Sequence, residues 1–250
     1  SKGSTIGYVA DTAVVRLSGR RLAGFLEDLH ARSGATTIHI VAHSMGNRAL
    51  TDALEIMAVR RGMNEASLPL FDQIVFAAPD VDAGLFVNMV RTIRPIARRL
   101  TLYASEKDWA LESSRRLHGN APRAGQGGPG TLADGSIDSI DMSELGDDML
   151  AHSYFADDGS AIADMASLFW KNADPAKRCG LEARSDAAGQ QVWQYRRSKC
   201  ASRGLIDVVA HLRLADVNTA EEAQEVLSNV VADAILLKEL TPIIQSLFSE

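Results

Sequence analysis

Hydrophobic positions in the first two thirds of the chain alternate between two spacings. Four short runs rich in β-branched residues predict buried strands, at 38–41, 73–78, 99–104 and 136–142. Between and around them, apolar residues recur every three or four positions and predict helices over 11–32, 45–61, 83–90, 109–117 and 160–170. Strands that alternate with helices in this way are typical of parallel βαβ units. We therefore expect an α/β fold with a mostly parallel sheet and helices on its faces.

The first predicted strand ends at a serine that is followed at once by a helical segment. The residues there read Ala42-His43-Ser44-Met45-Gly46. They match the G-x-S-x-G nucleophile elbow except for alanine at the first position, where the turn requires only a small side chain. Ser44 would lie at a helix N-terminus, and the Met45 N–H would be the first oxyanion donor. The alternative is that Ser44 merely caps the helix.

Two further catalytic candidates follow the order serine, acid, histidine of hydrolases with this elbow. Asp108 comes shortly after the third predicted strand, and His152 lies in the loop after the fourth. Carboxyl ends of parallel strands meet at one edge of a sheet. We therefore expect Ser44, Asp108 and His152 to form a catalytic triad. His152 would take the Ser44 proton, and Asp108 would orient the imidazole and stabilise its cation.

The acid has rivals. Asp80 follows the second predicted strand, where some hydrolases of this kind carry their acid, and is the alternative to Asp108. Glu106 is a further candidate. The segment 79–82 could equally supply the turn and cap of the next helix.

Composition and charge exclude several classes of function. The 250 residues carry a formal net charge of −6, which argues against general nucleic-acid binding. No run of eighteen apolar residues predicts a transmembrane segment. The glycine-rich stretch 125–130 lacks the Lys-Ser/Thr of a P-loop, and we expect 119–135 to be an irregular surface loop. No clustered His, Asp or Glu motif indicates a metal, so neither metal nor cofactor is expected.

The residues after Asp174–Pro175 follow a different pattern, and we place a domain boundary between 172 and 173. In this extension, 178–181 and 191–195 predict a hairpin, and 219–248 predicts a helix that Pro242 kinks or splits. Thr219 and Glu222 resemble a capping box. The apolar face of this helical tail would pack on the body of the protein or mediate self-association. Cys179 and Cys200 leave a disulfide and two free thiols equally open.

Five segments occur together in an order that resembles one bacterial family. They are 40–48, 77–82, 102–108, 114–119 and 122–126. Together they are similar to a bacterial α/β-hydrolase family of unknown function, often described as esterase/lipase-like, over about 1 to 171. The resemblance implies a three-layer α/β-hydrolase sandwich, the triad Ser44, Asp108 and His152, and activity on carboxylic esters.

The chain also departs from that family at its beginning. A complete domain carries several strands before the helix at 11–32, and a His-Gly type loop that supplies a second oxyanion donor. Few residues precede the helix here. We therefore expect this sequence to be the C-terminal two thirds of a longer protein, with the elbow strand at an exposed sheet edge.

Two functions of different classes follow. One is a serine esterase that forms an acyl-enzyme on Ser44 and hydrolyses it with water activated by His152, with a small-molecule ester or acyl compound as substrate. The other is a non-catalytic hydrolase-fold protein that uses the scaffold and the helical tail for binding. The complete triad order favours the enzyme. These residues do not distinguish esters from amides or thioesters.

Overall fold

A computed structural model describes residues 5–62, 68–145, 159–186, 188–199 and 204–248. The chain divides into two compact units. The first comprises Ser1–Ser143 with Ser185–Val192, and the second comprises Glu144–Arg184 with Trp193–Glu250. The boundary predicted after residue 172 marks a change in sequence pattern, whereas these two units are defined by their compactness. The predicted boundary therefore stays a prediction. None of the described helices is long and apolar enough to cross a membrane.

The first unit is built on four parallel strands joined by helices. Its strands are β1 (His39–His43), β2 (Phe71–Ala77), β3 (Ala97–Ala104) and β4 (Asp138–Asp141), and its helices are α1 (Thr5–Arg32), α2 (Gly46–Arg61), α3 (Ala83–Ile93) and α4 (Trp109–Leu117). The strands lie in the order β1-β2-β3-β4, and each neighbouring pair is parallel. The predicted alternation of strands and helices is confirmed, with bounds that differ by a few residues.

The central and outer strands differ in burial. In β2, Ile74, Val75 and Phe76 are all fully buried, so side chains on both faces of the strand are covered, as in parallel sheets generally. In β1, Val41 is 46% exposed. Among the described strands β1 pairs only with β2, which explains the exposure. The prediction that 38–41 forms a buried strand is wrong at Val41, whereas the predicted place of this strand at an edge agrees with the pairing.

A hydrophobic core lies between these strands and the helices. It is formed by fully or nearly fully buried side chains that include Leu26 of α1, Leu50 and Leu54 of α2, Phe76 of β2 and Phe86 of α3. The rings of Phe76 and Phe86 meet edge to face with their centroids 5.2 Å apart. Burying one such side chain contributes about 1.5–3 kcal/mol. This core fixes α2 against β1 and β2 and so sets where the elbow lies.

The glycine-rich segment 119–135 is not the surface loop that its composition predicts. Ala124 is fully buried and Arg123 is 5% exposed. The Gly125 N–H donates to the Pro79 carbonyl at 3.0 Å, and the Ala124 N–H donates to the Val81 carbonyl at 2.9 Å. The segment therefore adds backbone hydrogen bonds to the chain leaving β2. Glycine composition indicated irregular backbone correctly but could not reveal this partner.

The second unit is mainly helical. Its helices are α5 (Gly159–Lys171), α6 (Leu205–Leu214), α7 (Ala220–Val230) and α8 (Ala234–Phe248). They share a hydrophobic core that contains Ala163, Leu205, Leu212, Leu227, Leu240 and Ile244. Most of the apolar face predicted for the tail is therefore used in the core of this unit.

The tail helix is split at a different place from the one predicted. The break lies between Val230 and Ala234, and Pro242 lies inside α8. The Asp233 carboxylate accepts hydrogen bonds from the Ile235 and Leu236 N–H groups at 2.8 and 3.1 Å, which starts a new helix there. The capping box of Thr219 and Glu222 at the start of α7 is confirmed.

The predicted hairpin is present with its first strand displaced toward the C-terminus. It consists of β5 (Leu181–Ser185) and β6 (Gln191–Tyr195). The Arg196 N–H donates to the Gly180 carbonyl at 2.7 Å across its open end. Cys179 is disulfide-bonded, which removes the free-thiol alternative for that residue. Cys200, the only other cysteine in the sequence, lies outside the described residues.

A fully buried ion pair joins α5 to the segment before β5. Arg178 donates to both carboxylate oxygens of Asp164, from Nε to Oδ1 at 2.7 Å and from Nη2 to Oδ2, and both side chains are 0% exposed. The desolvation of two such charges is tolerated only when they compensate each other.

We predict that Arg178→Met destabilises the protein by about 3–5 kcal/mol, because it leaves the Asp164 carboxylate buried without its cation. The matched control is Arg60→Met, since Arg60 pairs with Glu27 on the surface and such exposed pairs contribute less than about 1 kcal/mol. Urea unfolding of both variants measures the difference. Equal stability losses would contradict this assignment.

We also predict that Gly125→Ala destabilises the first unit. An added Cβ would lie 2.6 Å from the Ala78 carbonyl carbon and 2.7 Å from the Pro79 nitrogen. Both are backbone atoms, so the overpacking should cost about 1–3 kcal/mol. Gly130 is the control, because no neighbouring heavy atom lies within 4 Å of a Cβ placed there. Thermal unfolding should show a lower Tm for Gly125→Ala only, and an equal Tm for the two variants would refute the close approach.

Candidate active site

The predicted site residues of the first unit lie at one edge of its parallel strands. Ser44 follows β1, Asp80 follows β2 and Asp108 follows β3. Because the strands are parallel, these three positions share the edge at which ligands bind in open α/β sheets. Glu106 is also at this edge and is exposed. His152, the predicted base, lies outside the described residues.

Ser44 occupies a sharp turn between strand and helix. Only Ser44 and Met45 separate β1 from α2. The φ angle of Ser44 is 52°, in the left-handed region. This conformation costs a residue with a Cβ about 1–2 kcal/mol. Strained non-glycine residues cluster at active sites, ligand clamps and switch regions, although Ala78, Asn120, Asn172 and Asp216 also have positive φ angles here. The turn has the backbone layout that is typical of a nucleophile elbow.

Hydrogen bonds from the end of β2 and from α2 hold the strained turn in place. The Ser44 N–H donates to the Ala77 carbonyl at 3.0 Å, and the Ser44 carbonyl accepts from the Asp80 N–H at 3.4 Å. The Asn47 side-chain amide donates to the carbonyls of Ser44 and Ala77, at 3.0 Å each. Asn47 is fully buried. Asn47 was not among the site residues expected from the sequence, although a polar residue among the apolar positions of α2 was a usable signal.

The helix-cap alternative for the Ser44 side chain is wrong. The N-cap of α2 is Met45, and no side chain caps this helix end. In the first turn, the Asn47 and Arg48 N–H groups bond to the backbone carbonyls of Ser44 and Met45 at 3.1 Å. The Met45 N–H, at the start of the helix, has no intrahelical acceptor. Negative charge beside this N–H would also be stabilised by the positive end of the helix dipole.

Asp108 is fixed at the start of α4. It is the N-cap residue of that helix, and its Oδ1 accepts from the Leu111 N–H at 3.0 Å. The residue is 8% exposed. One strand, β2, separates β1 from β3. Two strand spacings amount to about 10 Å, a span that a serine, an imidazole and a carboxylate can bridge.

Ion pairs along α4 stabilise the helix that carries Asp108. Glu112 binds Arg115 through two hydrogen bonds of 2.8 Å and Arg116 through one of 3.0 Å. The hydrogen bond from Arg115 is the largest cause and lowers the pKa of Glu112. Desolvation, the second cause, raises this pKa, and the hydrogen bond from Arg116 lowers it further. The hydrogen bond between Arg115 and Glu112 also raises the pKa of Arg115.

Asp80 has a different environment from Asp108. It is 3% exposed. Its Oδ2 accepts from Arg48 Nη2 at 2.9 Å, and its Oδ1 accepts from the Ser114 hydroxyl at 2.6 Å. Arg123 lies nearby, with Nε 3.6 Å from Oδ1. None of these three partners was expected, because their distance along the chain from Asp80 gives no sequence signal.

A metal is not indicated by the described part of the chain. No group of three or more His, Cys, Asp or Glu side chains among those residues is placed to hold an ion.

Comparison with known protein families gives a match. The model of a family described as "Alpha/beta hydrolase of unknown function (DUF900)" matches residues 1–167. Neither the curated proteins nor the solved structures contain a match to the chain. The family match confirms the resemblance found in the sequence. With the parallel strands described above, it also confirms the predicted fold class, a three-layer α/β-hydrolase sandwich with a mostly parallel sheet.

The backbone strain at Ser44 can be measured without any assay of activity. We predict that Ser44→Gly is more stable than Ser44→Ala by about 1 kcal/mol, because glycine adopts a left-handed conformation without steric cost. Both variants lack the hydroxyl, so the comparison isolates the backbone.

The control pair is Ser139→Gly and Ser139→Ala in the buried strand β4. There the alanine variant should be the more stable one, since glycine in a strand loses more conformational entropy on folding. Chemical unfolding of the four variants gives both differences. If glycine were the less stable substitution at position 44 as well, the strain assignment would be wrong.

Proposed function

Since the chain belongs to this family of α/β hydrolases, we propose that it is a serine hydrolase that cleaves carboxylic esters through an acyl-enzyme on Ser44. The observation that carries the proposal is the left-handed backbone of Ser44 between β1 and α2. A serine that only packed or capped would gain nothing from this conformation. A nucleophile gains an exposed Oγ beside the N–H groups of a helix N-terminus.

The proposed reaction has two halves. His152 takes the proton of Ser44 Oγ while Oγ attacks the carbonyl carbon of the ester, and the developing oxyanion accepts a hydrogen bond from the Met45 N–H. The intermediate collapses, and the alcohol leaves with the proton from His152. Water, deprotonated by His152, then attacks the acyl carbon. The carboxylic acid departs, and Ser44 regains its proton.

Asp108 is the proposed acid rather than Asp80. The charge of Asp80 is already compensated inside the protein by the guanidinium of Arg48, with that of Arg123 close by. A carboxylate in such an environment is a weak partner for an imidazolium. Asp108 is instead held by a backbone N–H at the start of α4. It also follows the third strand, where the sequence pattern placed the acid.

The experiment is the rate of covalent labelling by a fluorophosphonate, which phosphonylates the activated serine of serine hydrolases. Ser44→Ala should abolish labelling. Asp108→Asn should slow it by up to about 10⁴-fold, because the imidazole loses its orienting carboxylate. The asparagine keeps the capping function at the start of α4.

The matched control is Asp82→Asn. Asp82 caps α3 through the Leu85 N–H at 3.0 Å, just as Asp108 caps α4. The Asp82→Asn variant should be labelled at the unaltered rate, because Asp82 shares with Asp108 the capping of a helix but not the proposed role of orienting His152. The proposal would be overturned if the Ser44→Ala variant were still labelled. It would also be overturned if the folded, unaltered chain were not labelled at all. The second outcome would favour a binding protein on a hydrolase scaffold.

A further inference from the structure

A buried carboxylate connects the two helices that carry the proposed nucleophile and acid. Asp80 is 3% exposed and lies at the carboxyl edge of the strands, where its N–H donates to the Ser44 carbonyl at 3.4 Å. Its backbone therefore touches the strained turn directly. The bonds of its side chain extend in two other directions.

One carboxylate oxygen faces α2. Oδ2 accepts from Nη2 of Arg48 at 2.9 Å, and the Arg48 side chain is 17% exposed. Nε of the same guanidinium donates to the Asp80 backbone carbonyl. Arg48 lies in the first turn of α2, directly after the elbow. Two charge-assisted bonds in such a position restrict how far the start of α2 can move.

The other oxygen faces α4. Oδ1 accepts from the Ser114 hydroxyl at 2.6 Å, and Ser114 is 3% exposed. Ser114 belongs to the helix that begins at Asp108. Arg123 also approaches this oxygen, and its side chain is 4% exposed. The Asp80 carboxylate thus bonds to α2 through one oxygen and to α4 through the other. It therefore couples the positions of the two helices, which a bond to one helix alone would not do.

We infer that Asp80 is a positioning residue that holds Ser44 and Asp108 in register by joining α2 to α4. The inference rests on the proposed function, since it assigns Asp80 a task within the same site. It replaces the role of alternative acid with one in which Asp80 never touches the substrate. Misplacement of reacting groups by about 1 Å can lower a rate by about 10²-fold.

The test compares Asp80→Asn with Asp138→Asn by fluorophosphonate labelling of the full chain. Asp138 binds Arg99 at 2.6 Å between β4 and β3, near the opposite edge of the strands. Asp80→Asn should lower the maximal rate constant of labelling by about 10²-fold. The half-saturating probe concentration and the labelled fraction at completion should stay unchanged. Asp138→Asn should label at the unaltered rate. A loss of folded protein would instead reduce the labelled fraction.

The double variant Asp80→Asn/Asp108→Asn separates positioning from chemistry. If Asp80 acts by placing Asp108, its substitution adds little once Asp108 is already Asn, so the two effects are far from additive. Additive effects, or an Asp80→Asn rate equal to that of Asp138→Asn, would overturn the inference and leave the serine hydrolase standing. An Asp108→Asn chain that labels at the unaltered rate would remove Asp108 as the acid and so also overturn the inference. No Ser44-dependent labelling of the unaltered chain would instead reject the proposed function, and the inference with it.

Discussion

The left-handed backbone at Ser44 is the constraint on which the rest of the site depends. It is unfavourable for a residue with a Cβ, so it persists only where the surrounding structure over-determines it. Hydrogen bonds from Asn47, and others with Ala77 and Asp80, supply this support from α2 and from the end of β2. The two peptide units on either side of Ser44 are therefore stabilised from three directions. These are the neighbouring strand β2, the buried helix α2 and the segment after β2.

That dependence explains why the segment 119–135 is packed although it is irregular. The chain leaving β2 must pass beside the elbow, and the glycine-rich segment pairs with it there through Gly125 and Ala124. Gly125 has no room for a Cβ because the backbone of Ala78 and Pro79 is so close. Small residues in this stretch thus serve close backbone approach rather than flexibility.

Most of the fold of the first unit could be predicted from local patterns. The strands and helices, the elbow at Ser44 and the α4 helix after Asp108 all follow from periodicity and from a short motif. The patterns could not show which distant residues meet. Arg48, Ser114 and Arg123 surround Asp80 only in the folded chain, so the sequence left Asp80 open as an acid. Pro242 is a similar case, because the helix is interrupted between Val230 and Ala234, where the Asp233 carboxylate caps the start of α8, and not at the proline.

The second unit shows how far a helical pattern alone can be trusted. Its capping box and apolar spacing predicted helix correctly, yet an amphipathic face can serve a core or a partner equally well. The buried positions of Leu227, Leu240 and Ile244 assign much of this face to the unit's own core. His152 and Cys200 remain sequence-based assignments, since they fall outside the described residues.

The central claim is that Ser44 carries the acyl group during turnover. The most direct measurement is to mix the unaltered chain with a slowly hydrolysed activated ester, quench with acid and map the added mass by peptide mass spectrometry. We expect one acyl group on the peptide that contains Ser44, which forms and then decays as the carboxylic acid is released. An acyl group on another residue, or ester hydrolysis with no acyl-protein at any time, would contradict it.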